Sequence, residues 1–152
     1  MANFAPSREI SDEVWENKEH EWTGKSFYFV NCKFIFGNAI GLDGKLEALN
    51  RDLRTANYKV KNPMVLIEHG KFNGRIMIEV EKKDNYDSQL ATYDVHTVCD
   101  TKIHYFTKGG VQKGFDFLKE RVAARRSRDP RQLFYMYQPD SNAQKTILFA
   151  LT

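Results

Sequence analysis

The residues best placed to do chemistry lie in the stretch RIMIEVE, Arg75 to Glu81. Strand alternation puts Ile76, Ile78 and Val80 on one face and Arg75, Met77, Glu79 and Glu81 on the other. If the aliphatic set packs on helices, Met77 and Glu79 face the opposite side. A carboxylate among aromatic rings attracts cations through its charge and through the ring quadrupoles. The same carboxylate could act as a general base if a partner acid or phenol were positioned beside it. Tyr135 and Tyr137, two apart in RQLFYMY, and Tyr105, at the end of an earlier strand, are the rings expected to complete such a site. The predicted ligand-lining set is therefore Glu79, Met77, Tyr105, Tyr135 and Tyr137.

Other chemistries find less footing. There is no phosphate-binding glycine loop, no dinucleotide fingerprint and no nucleophile elbow. The His-x-Thr pairs with which some two-lobed phosphoesterases grip phosphate are missing: Thr97 follows His96 directly, on the other strand face, and Thr107 stands three residues after His104. His20, His69, His96 and His104 are read as surface or turn residues. Cys32 and Cys99 stand apart in apolar or β-branched runs without metal-ligand spacing, so they read as free thiols and no metal or cofactor is expected. Lys108-Gly109-Gly110 reads as a strand-to-helix turn that needs a positive φ. The basic cluster around Arg121, Arg125, Arg126 and Arg128 is the candidate interaction surface. A helix C-terminus favours cations without any partner, so these arginines are read as solvating a helix end rather than gripping nucleic acid.

These residues must be held by one domain. A chain of 152 residues can bury one core, its net charge of +3 is a weak signal for polyanions, and 13% aromatic residues implies bulky packing. The charged opening and the lack of a long apolar run predict a cytoplasmic protein with no membrane segment. Residues 1–24 read as a strap with a short helix through Trp15, ended by Gly24. A strand over KSFYFVNCKFIF, a helix with Leu42, Leu46, Leu49, Leu53 and Ala56 on one face, and a hairpin of PMVLIEH and RIMIEVEK complete a first unit over 25–81. After a polar linker at 82–89 the order repeats over 90–152: a bent strand ATYDVHTVCDTKIHYFT, a helix with Val111, Phe115, Leu118 and Val122 on one face, and strands RQLFYMY and KTILFALT. Phe115, Phe117 and Phe134 are expected in the core. The predicted fold is α+β: tandem pseudo-twofold β-α-β-β repeats forming an antiparallel sheet, helices on one face and a central groove on the other.

On this layout, and on YFTKGGVQKGFDFLKERV followed by an aromatic strand, the chain from about Ser26 to Thr152 resembles the GyrI-like (SOUL/GyrI-like) superfamily of small-molecule-binding domains. Gly37-Asn38 and Gly109-Gly110 stand where that family has Gly-Pro. Its binding carboxylate sits in the last strand of the second unit; here KTILFALT holds no acid, and Glu79 in the matching strand of the first unit is the inward candidate. The resemblance implies a stand-alone, non-catalytic module that takes a hydrophobic or aromatic, in some members cationic, small molecule between the repeats. It also implies two alternatives: a modulator of a macromolecular target such as DNA gyrase, acting through its surface, and a hydrolase of reactive small molecules using the groove carboxylate.

Overall fold

The computed structural model describes residues 10–36, 38–70, 72–84, 86–93 and 96–152. The start of the expected strap, the glycine at Gly37, the hairpin residue Lys71, Asn85 of the linker and positions 94–95 of the expected bent strand lie outside the described residues. Helix α1 (Asp12–Trp15) is a single turn, and the chain then forms a strand, β1 (Lys18–Glu21), before Gly24. There follow β2 (Ser26–Ile35), a two-residue β3 (Asn38–Ala39), α2 (Leu42–Thr55), β4 (Val60–Glu68) and β5 (Asn73–Val80). β6 (Leu90–Thr92), β7 (Val98–Tyr105), α3 (Val111–Arg126), β8 (Gln132–Met136) and β9 (Lys145–Leu151) complete the chain.

All these strands join one antiparallel sheet in the order β1-β7-β9-β8-β4-β5-β2-β3, with β6 also on the outer side of β2. The seam at its middle pairs Leu66 with Met136 and Ile67 with Tyr135. The stretch expected as one bent strand is two strands toward opposite ends of the sheet: β6 pairs β2, whereas β7 pairs β1 and β9. Local propensity was right about extended chain, but pattern alone could not show that the chain leaves one edge and reappears at the other.

Alternation sorts the side chains as expected. Ile76, Ile78 and Val80 pack with Leu46, Leu49 and Leu53 of α2, and Leu148 and Ala150 pack with Phe115, Leu118 and Val122 of α3. Partner residues Ile67 and Tyr135 lie on this same face, so both long helices cover one side. On the other side Phe27, Leu66, Met77, Phe134 and Phe149 meet Ile10, Trp22 and Tyr93, which come from the N-terminal strap and from the segment after β6. Among the described residues no helix is long and apolar enough to cross a membrane.

Three single-residue expectations need correction. Phe117 is exposed on α3, one position off the buried stripe that Phe115 and Leu118 occupy. His104 is no surface residue: it is 4% exposed, its Nε2–H donates to the Gly109 carbonyl at 2.8 Å, and its ring abuts Gly114 of α3. His69 is half-buried, stacked on Phe115 with ring centroids 4.5 Å apart. The turn before α3 is as read, with Gly109 at φ 102° and Gly110 as its N-cap. Cys32 and Cys99 are free and buried.

Candidate ligand site

On the face away from α2 and α3 a cavity of about 190 Å³ opens between sheet and strap. Its floor is strand: Phe27 of β2, Leu66 of β4, Glu79 of β5 and Phe149 of β9. Its roof is Trp15, His20 and Trp22, carried by α1, β1 and the residue after it. The rings form a connected wall, with Trp22 stacked on Phe27 at 4.8 Å between centroids, Trp15 edge-on to Phe149 at 5.7 Å, and Trp15 stacked on His20 at 4.7 Å. Offset and edge-on pairs of this kind are the arrangements that ring quadrupoles favour.

One rim of the cavity lies beside a local irregularity that the sequence announces. Pro63 has no N–H to give a ladder, and β4 shifts register against β5 between Val60 and Asn62 and again between Asn62 and Val65. Asn62 accepts the Met64 N–H at its own side-chain oxygen, 3.2 Å away, and both residues line the cavity. Asn62, Met64 and Leu66 stand two apart, so strand alternation itself turns all three toward the cavity.

The polar wall is an ion pair. Glu79 pairs across strands with Phe27 and has 7% of its side chain exposed. Lys25 donates to both of its oxygens, at 3.1 and 3.3 Å, and Lys61 stands 4.0 Å from Oε2. His20 donates from Nε2 to the Val14 carbonyl at 3.1 Å, which leaves Nδ1 as an acceptor. Burial lowers the His20 pKa, the Val14 carbonyl acts against that and Lys25 adds to it, so the imidazole is neutral at pH 7. Glu21 at the margin accepts the Thr23 hydroxyl and its backbone N–H.

Of the five predicted lining residues one, Glu79, is in the cavity wall; Met77 is fully buried in the apolar cluster beneath and does not line the cavity. Tyr105 sits at the exposed end of β7, its ring under the Lys145 ammonium at 5.7 Å, away from the cavity. Tyr135 and Tyr137 lie on the opposite face of the sheet, against the helix-side core. Sharing a face with each other did not decide which face that was; the seam register, Ile67 to Tyr135, does. The sequence points to the N-terminal segment as a lid or strap, yet no residue of it stands in the predicted lining set. The signal was present in Trp15 and Trp22, the chain's two tryptophans, both placed in a charged segment with no core of its own.

The arginine cluster is neither free nor simply solvated. Arg126 grips buried Asp100 with Nε at 2.7 Å and Nη2 at 3.1 Å, and the same Nη2 donates to Glu19 at 2.7 Å. Arg125 reaches Asp100 at 3.1 Å and Glu19 at 3.6 Å. The bond to Asp100 raises the Arg126 pKa further. Arg121 has a buried Nη1 without a partner, and Arg128 is exposed beyond the helix. Among the described residues no group of three His, Cys, Asp or Glu side chains could hold a metal ion. No protein-family model, curated protein or solved structure matches the chain.

Proposed function

We propose that this protein is a small-molecule-binding module whose site is the ring-walled cavity between sheet and strap. The observation that carries the reading is the convergence of Trp15, Trp22, Phe27 and Phe149 on a cavity whose polar wall is the Lys25–Glu79 pair. Its 190 Å³ is close to the roughly 150 Å³ of an apolar cavity that accepts benzene. The ligand is therefore a single-ring molecule rather than a bulky one. Because Lys25 already takes both Glu79 oxygens, a cation would have to displace an intramolecular ammonium. A neutral ring carrying a donor and an acceptor can instead add to the pair without breaking it. The same occupancy argues against Glu79 as a hydrolytic base, so the module is read as a binder.

The strand order supports the tandem reading. From the seam outward, one side runs β4, β5, β2 and the other β8, β9, β7, the same sequence of second, third and first strand in each unit. This order is the one expected of two β-α-β-β units about a pseudo-twofold at the seam, and it is on this basis that a GyrI-like relationship is proposed. Two unpaired buried thiols fit a reducing compartment such as the cytoplasm.

The test is a nuclear magnetic resonance titration of labelled protein with benzamide, benzylamine and benzoate. The indole N–H resonances of Trp15 and Trp22 are reporters, since both rings line the cavity. Saturable shifts of both, strongest with benzamide, are expected. Indole resonances that stay fixed for all three compounds at millimolar concentration would remove the cavity as a ligand site.

A further inference from the structure

On the helix face the seam of the sheet carries a second and larger opening, of about 400 Å³, between the two helix-covered cores. Its walls are Leu42 and Val111, the first residues of α2 and α3, together with Phe106, and its floor is Ile67 with Tyr135 and Tyr137. Tyr135 touches the core under α2 and the core under α3, so it lies at the meeting of the two halves of the sheet.

Two phenols supply the hydroxyl donors of the cleft. A fully buried tyrosine hydroxyl needs a protein partner, whereas one open to solvent can exchange its water for a ligand acceptor. Tyr58 and Tyr93 follow that rule, donating to Asp87 at 2.8 Å and to Gln132 at 3.2 Å. Tyr135 and Tyr137, both half-buried, make no side-chain hydrogen bond among the described residues, and their hydroxyls are not sealed from solvent. Burial pushes the Tyr135 phenol up, so it keeps its proton and remains a donor at neutral pH. Asp140 also lines the cleft, its carboxylate accepting the Asn142 N–H at 2.9 Å.

We propose that this cleft is a second ligand site, taking a neutral planar molecule with a hydrogen-bond acceptor that the Tyr135 and Tyr137 hydroxyls hold between the apolar walls. Its volume falls in the range of small-molecule sites, which begins at roughly 300 Å³, so it accepts a fused-ring ligand that the 190 Å³ cavity on the other face cannot. The two sites stand on opposite faces of the sheet, and this one does not depend on the first being occupied.

Coumarin, a neutral fused-ring lactone, is the probe, titrated into the full labelled chain and followed by nuclear magnetic resonance. The backbone amides of Tyr135, Tyr137 and Val111 should shift saturably while the indole N–H resonances of Trp15 and Trp22 stay in place. The paired substitution Tyr135→Phe and Tyr137→Phe removes only hydroxyls that hold nothing in the protein, and should raise the Kd about tenfold, as expected for two hydrogen bonds. Val111→Trp, which fills the cleft from its wall, should abolish the shifts. Unchanged affinity in the double phenylalanine variant overturns the proposal. So does an absence of shifts at millimolar coumarin, or a response confined to the indoles, which would place coumarin in the other cavity instead.

Discussion

Glu79 has both carboxylate oxygens within 3.3 Å of the Lys25 ammonium, in a wall otherwise made of rings. From sequence, its neutralisation would be expected to affect ligand binding and leave stability alone. The geometry changes that expectation. Glu79→Gln leaves Lys25 at an apolar rim without its counter-ion, and breaking a pair whose carboxylate is buried is destabilising. Because Lys25 is 31% exposed and can turn to water, the loss is nearer the surface-pair end, about 1 kcal/mol. Urea denaturation should show a lowered midpoint with an unchanged slope; an unchanged midpoint would mean that solvent already screens the pair. Both partners could be read as charged residues in the sequence. Their pairing could not, since Lys25 and Glu79 are 54 positions apart and meet only through the β2–β5 register.

At the scale of elements, α3 is set onto the sheet by one missing side chain. A Cβ at Gly114 would stand 2.6 Å from Leu148 Cδ1 and 2.7 Å from His104 Nδ1. Alanine favours a helix over glycine by about 1 kcal/mol, but overpacking a core costs about 1 to 3 kcal/mol. Two contacts this short, one to a ring already bonded to Gly109, make the second effect win. Gly114→Ala should therefore lower thermal stability, and a raised Tm would show that His104 can swing clear. Elements of this kind were largely legible: the leucine spacing gave α2, the Val111–Val122 stripe gave α3, and the alternation in RIMIEVE sorted β5 correctly. What periodicity could not supply was anything that depends on a neighbour. β1 and β3 are too short and too polar to stand out before a partner strand is known. The face of Tyr135 and the burial of His104 likewise follow from strand register and helix contact. For the same reason the sequence pointed to Glu79 and to a strap, but not to the strap side chains that reach the cavity.

Across the whole molecule, Arg125 and Arg126 at the end of α3 bridge Asp100 of β7 to Glu19 of the strap, so Asp100 anchors a junction of three separate pieces. Its side chain is 4% exposed and accepts a bidentate guanidinium, the geometry in which a charge pair is strongest. Asp100→Asn would leave two arginines facing a neutral amide, and a loss of about 3 kcal/mol is expected. The strap would be loosened with it, so hydrogen exchange at Lys18–Glu21 should accelerate more than exchange at the β4–β5 ladder. Equal acceleration in both places would mean that Asp100 supports the fold globally rather than by tying the strap down.

The routing of the two outer strands carries a consequence for how the molecule holds together. β1 precedes the first run of strand, helix and hairpin, yet it closes the edge formed by the second; β6 precedes the second run, yet it lies along the edge of the first. Each half thus lends a strand to the far side of the other, as two hands fold over one another. The strands left at the edges are the short β1, β3 and β6, which offer little ladder for pairing with another molecule, and neither half can be excised without uncovering its counterpart. Such reciprocity makes the chain a single inseparable unit, whatever its ancestry as one piece or two.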